Sequence, residues 1–403
     1  MLGKNLMINK NEILALSRAL SLSPDTVEKD YVLNWILWGI SQDKDISQNW
    51  LFKGGTSLKK CFFETFRFSE DLDFTVIQPE HLSEPFLLNK FKNISEIIYE
   101  KTGIAFLKEE FRFKILPKSN NKLSAQGRIH YNGPLQRKRG FAAIKLDLTA
   151  DEIIVLNKQK QEVYHPYSDK PDYGIFANCY AFEEVIAEKI RALSQRASPR
   201  DLYDIIHFFR NRETIDNPQL VYNVLVKKCG YKKISVPTFE LMKQHEKIEE
   251  MKSQWHNMLA HQLPFLPSLK SFWDDLKPFF SWLEGNIQEK HFVEISDKDE
   301  EVFLPERIKS TLSVDVITHK IQFAAANRVC VEILYHDKKH IVEPLSLRLS
   351  KDNNKVFYGY EKDSATIKCY ILAEIKSINI LNLPYKEKEY PIEIATSGPT
   401  SHL

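Results

Sequence analysis

Hydrophobic positions divide the chain into regions of different periodicity. From residue 11 to about residue 40 they recur at helical spacing, and Ser23-Pro24-Asp25 separates two predicted helices, with Ser23 as the N-cap of the second. Between about residues 51 and 155, short alternating runs predict strands over 71–76, 111–116, 129–131, 143–149 and 153–156, with a helix over 87–101. The helical period returns from about residue 182 to 284, and residues 313–381 alternate again.

This pattern predicts an α+β protein in four segments. We expect a sheet with N-terminal helices over residues 1–175, a helical domain over 176–290, a charged linker over 291–310 and a small β-rich domain over 311–395.

The composition of the chain mainly excludes classes of partner and of protein. The 403 residues include 56 Lys and Arg against 54 Asp and Glu, and this net charge of +2 is too small to indicate a nucleic-acid or membrane partner. No secretory signal and no run of about 18 apolar residues occurs. The five cysteines lie far apart without a C-x-x-C pair. These features predict a cytoplasmic protein with reduced thiols and no membrane partner.

Two predicted strands carry carboxylates on one face. Residues two apart on a strand share a face, so Asp71 and Asp73 project together, and Asp147 joins them if the two strands are neighbours. Such close like charges favour a cation between them, and oxygen donors suit Mg²⁺ or Mn²⁺. Three carboxylates are the set that a two-metal phosphoryl-transfer centre uses. An Asp-x-Asp segment alone is also typical of a solvated edge strand.

The only Gly-Gly pair of the chain, Gly54-Gly55, precedes a helical pattern. Glycines there let backbone N–H groups approach a phosphate, and Thr56 and Ser57 add donors. A tight turn without function is the alternative. The combination of this pair with Asp71 and Asp73 favours a phosphate site.

A helical stretch over residues 182–193 places Lys189 within its apolar stripe. Lys189 therefore either extends to solvent or meets an anion, and a nearby phosphate site favours the anion. Asp201 and Asp204 follow, and either could be functional or serve only the start of the next helix.

A basic hairpin is a further candidate. Arg128, Arg137, Lys138 and Arg139 flank Asn132-Gly133-Pro134, with Tyr131 available for stacking. These residues could guide an RNA end, and a solvated hairpin is the alternative.

Six segments, in order, resemble the AbiEii/AbiGii-type nucleotidyltransferase toxins over about residues 10–285. They are Val27-Glu-Lys-Asp-Tyr-Val-Leu, Lys53-Gly-Gly-Thr-Ser-Leu, Arg67-Phe-Ser-Glu-Asp-Leu-Asp-Phe, Lys145-Leu-Asp-Leu, residues 184–193 and Arg200-Asp-Leu-Tyr-Asp. The resemblance implies a DNA polymerase β-like nucleotidyltransferase core, a mixed sheet with flanking helices, followed by a helical domain. It also implies metal-dependent transfer of NMP from an NTP to an acceptor hydroxyl, as in relatives that modify the 3′ end of tRNA. The setting would be a toxin–antitoxin or phage-abortive system, with an antitoxin as partner.

Carried onto this sequence, the resemblance gives each motif a role. Asp71, Asp73 and Asp147 would hold the metal, Lys189 the NTP phosphates, and Asp201 or Asp204 would be the distal acidic residue. The nucleotide-binding turn would comprise Lys53, Gly54, Gly55, Thr56 and Ser57.

The C-terminal part resembles the WYL domains. The segments Val331-Glu-Ile-Leu-Tyr, Val342-Glu-Pro-Leu-Ser-Leu-Arg, Val356-Phe-Tyr-Gly-Tyr and Ile367-Lys-Cys-Tyr-Ile-Leu follow that domain's strand order. The resemblance implies a small SH3- or Sm-like barrel that regulates by binding an unknown ligand or nucleic acid. Arg348 and Lys368 are candidate anion contacts or solvated charges.

Two other functions compete with RNA modification. The transferase core could be a silent scaffold for a ligand-sensing regulator, or the acceptor could be a protein or small molecule. The base, the acceptor and the oligomeric state are open.

Overall fold

In the computed structural model, residues 7–62, 67–117, 122–137, 140–211, 217–286, 301–302, 316–386 and 394 are described. Their helices are α1 (Lys10–Leu20), α2 (Pro24–Gln42), α3 (Lys44–Asn49), α4 (Gly54–Ser57), α5 (Glu84–Thr102), α6 (Phe182–Arg196), α7 (Pro199–Arg210), α8 (Pro218–Lys232), α9 (Phe239–Lys243), α10 (Ile248–Leu259), α11 (Leu269–Asp274), α12 (Leu276–Leu283) and α13 (Val316–Asn327). Their strands are β1 (Trp50–Lys53), β2 (Asp71–Val76), β3 (Ala105–Phe106), β4 (Arg112–Pro117), β5 (Leu123–Asn132), β6 (Ala142–Thr149), β7 (Gln159–Glu162), β8 (Phe176–Cys179), β9 (Glu301–Val302), β10 (Val329–Tyr335), β11 (Lys338–Leu349), β12 (Lys355–Glu361), β13 (Thr366–Ile371) and β14 (Ile375–Pro384).

A mixed sheet carries the predicted carboxylate strands, which confirms the expected core. Its strands run in the order β3-β5-β6-β2-β1-β8-β7, and β4 also pairs with β5. β2 is parallel to β6 and β1 is parallel to β8, while the other pairs are antiparallel. Leu72, Phe74, Leu146 and Leu148 are buried, as their alternation predicts. The polar positions of β2 and β6 therefore share the opposite face.

The predicted N-terminal helices are confirmed. α2 begins at Pro24, and the Ser23 hydroxyl accepts a hydrogen bond from the Thr26 N–H at 3.1 Å. This cap satisfies one of the N–H groups that a helix start leaves without an intrahelical partner.

Residues 153–156 do not form a strand, so that prediction is wrong. The N–H groups of Val155 and Leu156 donate to the buried carboxylate of Glu184 at 2.9 and 2.8 Å, and the Ile153 carbonyl accepts from Lys228 Nζ at 2.9 Å. Because buried side chains satisfy this backbone, the apolar run needs no neighbouring strand.

The C-terminal strands form an open antiparallel sheet, not the predicted closed barrel. Five strands run in the order β13-β12-β11-β10-β14, and the short β9 pairs with β11. Among the described strands, the edge strands β13 and β14 do not pair with each other. The helix α13, which the alternating pattern missed, packs on this sheet through Ile321 and Ala324. A helix therefore covers apolar surface that a barrel would enclose.

The same helix joins two hydrophobic cores. Phe323 and Ala326 of α13 belong to the main core, which extends from Ile8 to Leu283, while Ile321 and Ala324 belong to the C-terminal core. The four-segment division of the chain stays a prediction. In the described ranges, no helix combines the length and hydropathy that a membrane span requires.

Candidate active site

The three predicted carboxylates occupy neighbouring positions on the polar face of the sheet. Asp73 on β2 and Asp147 on β6 are register partners, and Asp71 is the register partner of Lys145. On the other side of β2, Lys53 at the end of β1 is the register partner of Asp73. We call Asp71, Asp73 and Asp147 the strand carboxylates.

The strand carboxylates receive little compensation from the protein. Burial, followed by the charge of Asp147, raises the pKa of Asp73 to about 6. Gln126 Nε2 donates a neutral hydrogen bond to Asp147 Oδ1 at 3.1 Å, and Arg200 Nη1 lies 4.0 Å from Asp71 Oδ2. The adjacent carboxylates of Asp73 and Asp147 therefore repel each other, and this repulsion lowers the stability of the folded state.

The glycine pair adjoins the strand carboxylates. Gly54 has φ +78°, and a Cβ built on it would overlap Asp73 Oδ2. A Cβ on Gly55 would lie 2.5 Å from Arg67 Nη2. Any larger residue at Gly54 would displace Asp73 and at Gly55 would displace Arg67, and Gly54 also has the left-handed backbone that favours glycine.

The hydroxyls that follow the glycines bond to the protein itself. Thr56 Oγ1 donates to the Asp71 carbonyl at 2.5 Å, and Ser57 Oγ donates to the Gly54 carbonyl at 2.9 Å. Both side chains are buried. In this structure the hydroxyls stabilise the turn, and among the described side chains none caps the start of α4.

A cleft of about 280 Å³ opens between this turn and α6. Lys53, Gly54, Asp73, Lys189 and Arg196 are among its lining residues. It places cationic side chains from a strand end and a helix beside one of the strand carboxylates. The lining also includes the carboxylates of Glu152 and Glu188, which partly neutralise these cations.

The lining cation Lys53 is paired. Lys53 Nζ lies 2.7 Å from Glu188 Oε1, and Lys228 Nζ lies 3.4 Å from Glu188 Oε2. Burial would raise the pKa of Glu188, but Lys53 and Lys228 outweigh it and lower the pKa to about 2.

Lys189 meets anions inside the protein, and these anions are Asp201 and Asp204. Lys189 Nζ lies 3.1 Å from Asp201 Oδ1 and 2.9 Å from Asp204 Oδ2. Arg196 Nε donates to Asp201 at 2.6 Å, and Arg67 Nε and Nη2 donate to Asp204 at 2.9 and 2.8 Å. We call these five residues the helix ion network. Burial would raise the pKa of Asp204, but Arg67 and Lys189 hold it well below its usual value.

Of the predicted RNA-contact residues, Arg128 and Arg137 are described. Arg128 is exposed on β5, whereas Arg137 pairs with Asp25 on α2. Tyr131 is buried, so its predicted availability for stacking is wrong. The candidate contacts Lys138 and Arg139 lie outside the described residues.

The two candidate anion contacts of the C-terminal sheet also have partners. Arg348 is buried, and its Nε donates to Ser346 Oγ at 3.1 Å. Lys368 pairs with the carboxylate of Glu361.

A divalent metal fits the donor chemistry of the strand carboxylates. Within the part of the chain that is described, no three Asp, Glu, His or Cys side chains lie close enough together to hold an ion. Asp73 and Asp147 nevertheless present adjacent oxygen donors whose repulsion a cation would relieve. The third carboxylate, that of Asp71, is the one near Arg200.

Sequence reasoning missed several residues of this region. Arg196 lines the cleft seven positions after Lys189, so helical periodicity could have placed both on one side of α6. Arg67 meets Asp204 across 137 residues of sequence, and no local signal indicates that pairing.

Comparisons with known proteins find one matching family and several similar structures. A family model described as the nucleotidyl transferase AbiEii toxin of a type IV toxin–antitoxin system matches residues 35–283. Among solved structures, the chain is similar to MenT4, a nucleotidyltransferase toxin from Mycobacterium tuberculosis, with 21% identity and a TM-score of 0.47 over 68% of this chain and 89% of that chain. It is also similar to JHP933 from Helicobacter pylori, with 15% identity and a TM-score of 0.37 over 66% of this chain and 94% of that chain. None of the curated proteins matches.

Proposed function

The chain belongs to the AbiEii family of nucleotidyltransferase toxins of type IV toxin–antitoxin systems, and from this membership we propose that the 3′-hydroxyl of an RNA attacks the α-phosphate of an NTP. The RNA gains NMP and pyrophosphate leaves, and tRNA is the first acceptor to test. One observation carries the proposal. The weakly compensated strand carboxylates Asp73 and Asp147 lie side by side next to a cleft whose lining includes Lys53, Lys189 and Arg196.

In this proposal the cleft holds the NTP. Lys53, Lys189 and Arg196 would face the triphosphate, and the Gly54-Gly55 turn would let backbone N–H groups approach it. Arg196 is the most accessible of these cations, since its side chain is 60% exposed. The pairing of Lys189 with Asp201 and Asp204 fixes the position of its Nζ at the edge of the cleft.

Mg²⁺ or Mn²⁺ would be held by Asp73 and Asp147, together with Asp71. When bound, such an ion supplies charge neutralisation at the transferred phosphate and at the attacking hydroxyl. Gln126 orients the Asp147 carboxylate, and the Gly54 turn shields one side of Asp73.

Family membership also supports further parts of the proposal. We assign an antitoxin as a partner and the cytoplasm as the location. The C-terminal sheet lies outside the matched residues 35–283, and from its sequence resemblance alone we also propose a WYL-like regulatory role with an unknown ligand for it. The packing of α13 in both hydrophobic cores gives that sheet a direct connection to α7, the helix that carries Asp201 and Asp204.

A labelling experiment tests the central proposal. Purified protein is incubated with Mg²⁺, total cellular RNA and each α-labelled NTP separately, and the Asp73→Asn variant serves as control. We expect label in RNA with at least one NTP, no label with the variant, and loss of the labelled product after RNase treatment. Label on protein would favour a protein acceptor, and no label at all would favour a silent scaffold.

A further inference from the structure

A line of basic side chains continues from the strand carboxylates across the sheet. Asp71 on β2 is the register partner of Lys145 on β6, Lys145 of Arg128 on β5, and Arg128 of Arg112 on β4. Register partners project from the same face, and neighbouring strands lie about 4.8 Å apart. The three basic positions therefore extend about 14 Å from Asp71, perpendicular to the strands. We call Lys145, Arg128 and Arg112 the basic row.

The basic row is open to solvent. All three residues are exposed, and so is Lys114, which lies beside the row as the register partner of Gln126. Among the residues described, none of Lys114, Arg128 and Lys145 has a carboxylate within 4.0 Å. Within the described ranges, the hydrogen bonds of the Arg112 guanidinium go to two carbonyls, those of Glu109 and Phe111, at 2.7 and 2.8 Å. These cations contrast with Lys53 and Lys189, whose charges are already paired.

The position of the basic row indicates on which side of the strand carboxylates the acceptor would bind. On one side of the strand carboxylates lies the cleft with Lys53 and α6, and on the other side lies the basic row on β6, β5 and β4. A nucleotide in the cleft leaves only the second side for an acceptor chain. The order across this face is therefore nucleotide, carboxylates, acceptor.

The chemistry of the row favours a phosphodiester backbone. The charges of the basic row have one sign and are regularly spaced. The row contains no aromatic side chain on which a base could stack. Contacts of this kind bind phosphates and position a nucleic acid without recognising bases. We propose that Arg112, Arg128 and Lys145, with Lys114 beside them, bind the RNA backbone immediately upstream of the 3′ end that reaches Asp73. This inference rests on the proposed function.

Charge-reversal variants of the full chain test the row. Arg128→Glu and Lys145→Glu, alone and combined, are compared with wild type by initial rates of labelling against RNA concentration and against salt. We expect each reversal to raise the KM for RNA about tenfold, with the KM for NTP unchanged. The slope of log affinity against log salt should fall by about 1 for each lost phosphate contact.

Matched variants separate charge from folding. Lys227→Glu reverses an exposed charge on α8, outside the row, and should leave the KM for RNA unchanged. Arg128→Lys retains the charge and should retain RNA affinity. Arg128→Gln and Lys145→Gln provide the same test with a smaller perturbation if a glutamate variant unfolds.

Each alternative outcome identifies what fails. If wild type labels RNA but the row variants keep its KM and salt slope, the basic row is overturned and the proposed function stands. If wild type labels no RNA, the proposed function fails and the row assignment fails with it. If the row variants lose labelling of a protein instead, the row binds an acidic protein surface and the RNA assignment is overturned.

Discussion

Two acidic clusters border the same cleft, and the protein neutralises them in opposite ways. Asp204 in the helix ion network has Arg67 and Lys189 within 2.9 Å. Among the described residues, Asp147 accepts a neutral hydrogen bond from Gln126, and Asp73 experiences the more distant charges of Lys53 and Lys189. The carboxylates of the helix ion network already have cationic partners, whereas in the described part of the chain Asp73 and Asp147 have no cation within 4.0 Å, so we expect Asp73 and Asp147 to be the more available to a bound cation.

The pKa directions express the same contrast. Burial acts on Asp73 and Asp204 in the same sense, since by itself it would raise the pKa of either carboxyl group. At Asp73 the neighbouring charge of Asp147 adds to burial, so the pKa rises to about 6. At Asp204 the cations overcome burial and hold the pKa well below its usual value. Neighbouring charge, not burial, therefore distinguishes the two clusters.

The largest expected effect is the loss of transfer in Asp147→Asn. Removing one strand carboxylate removes a proposed metal ligand but also relieves repulsion with Asp73. We therefore expect kcat to fall about 10³-fold or more, while the melting temperature stays equal or rises. Labelling kinetics and thermal unfolding measure the two effects. Asp172→Asn, at an exposed position elsewhere, is the control, and full activity of Asp147→Asn would refute the assignment.

Asp204→Asn should instead destabilise the fold. It leaves the buried Arg67 guanidinium without its bidentate partner, which typically costs about 3–5 kcal/mol of unfolding free energy. Denaturant unfolding measures this loss. The double variant Arg67→Met/Asp204→Leu removes both charges and should recover much of the stability. A single variant as stable as wild type would show that the pair is dispensable.

The local parts of this arrangement were predictable from sequence. Alternation placed the strand over 71–76 at its observed bounds, and strand parity placed Asp71, Asp73 and Asp147 on one face. The glycine pair indicated a close backbone approach, which the structure shows at Asp73. These features depend on residues close together in sequence, so a local pattern contains them.

The remaining features depend on distant partners. The run over 153–156 has a strand pattern, but Glu184 and Lys228 satisfy its backbone. The alternation of the C-terminal strands cannot show whether their edges close, and α13 covers the sheet instead. Similarly, the order of β6, β5 and β4 aligns the basic row, although its members are up to 33 residues apart in sequence, from 112 to 145.

Gly54→Ala should have a smaller effect than the two aspartate substitutions, and it should act through Asp73, one of the strand carboxylates. The new methyl group would overlap Asp73. The alanine would also have to adopt the left-handed backbone conformation of this position, with φ +78°. Gly103→Ala is a matched control, because its φ is +81° and, its chain neighbours aside, no atom of the described residues lies within 4 Å of an added Cβ. Both variants should lose about 1 kcal/mol of stability from backbone strain, and only Gly54→Ala should also lose transfer activity. Equal activity in the two variants would contradict a role for this close approach.

The smallest expected effect is a difference in the pH dependence of stability. The folded-state pKa of Asp204 is below its unfolded value, so its stabilisation is present above about pH 4 and is lost as the pH falls further. The folded-state pKa of Asp73, about 6, is above its unfolded value. The stability of the folded state that goes with a protonated Asp73 is therefore lost as the pH rises through 6. In buffer with a metal chelator, Asp73→Asn should therefore melt a few degrees above wild type at pH 7.5 and show little gain at pH 4.5. The loss of stability in Asp204→Asn should be complete at both pH 7.5 and pH 4.5, and should become smaller only below pH 4. Parallel pH profiles for the two variants would mean that the clusters do not differ in charge compensation.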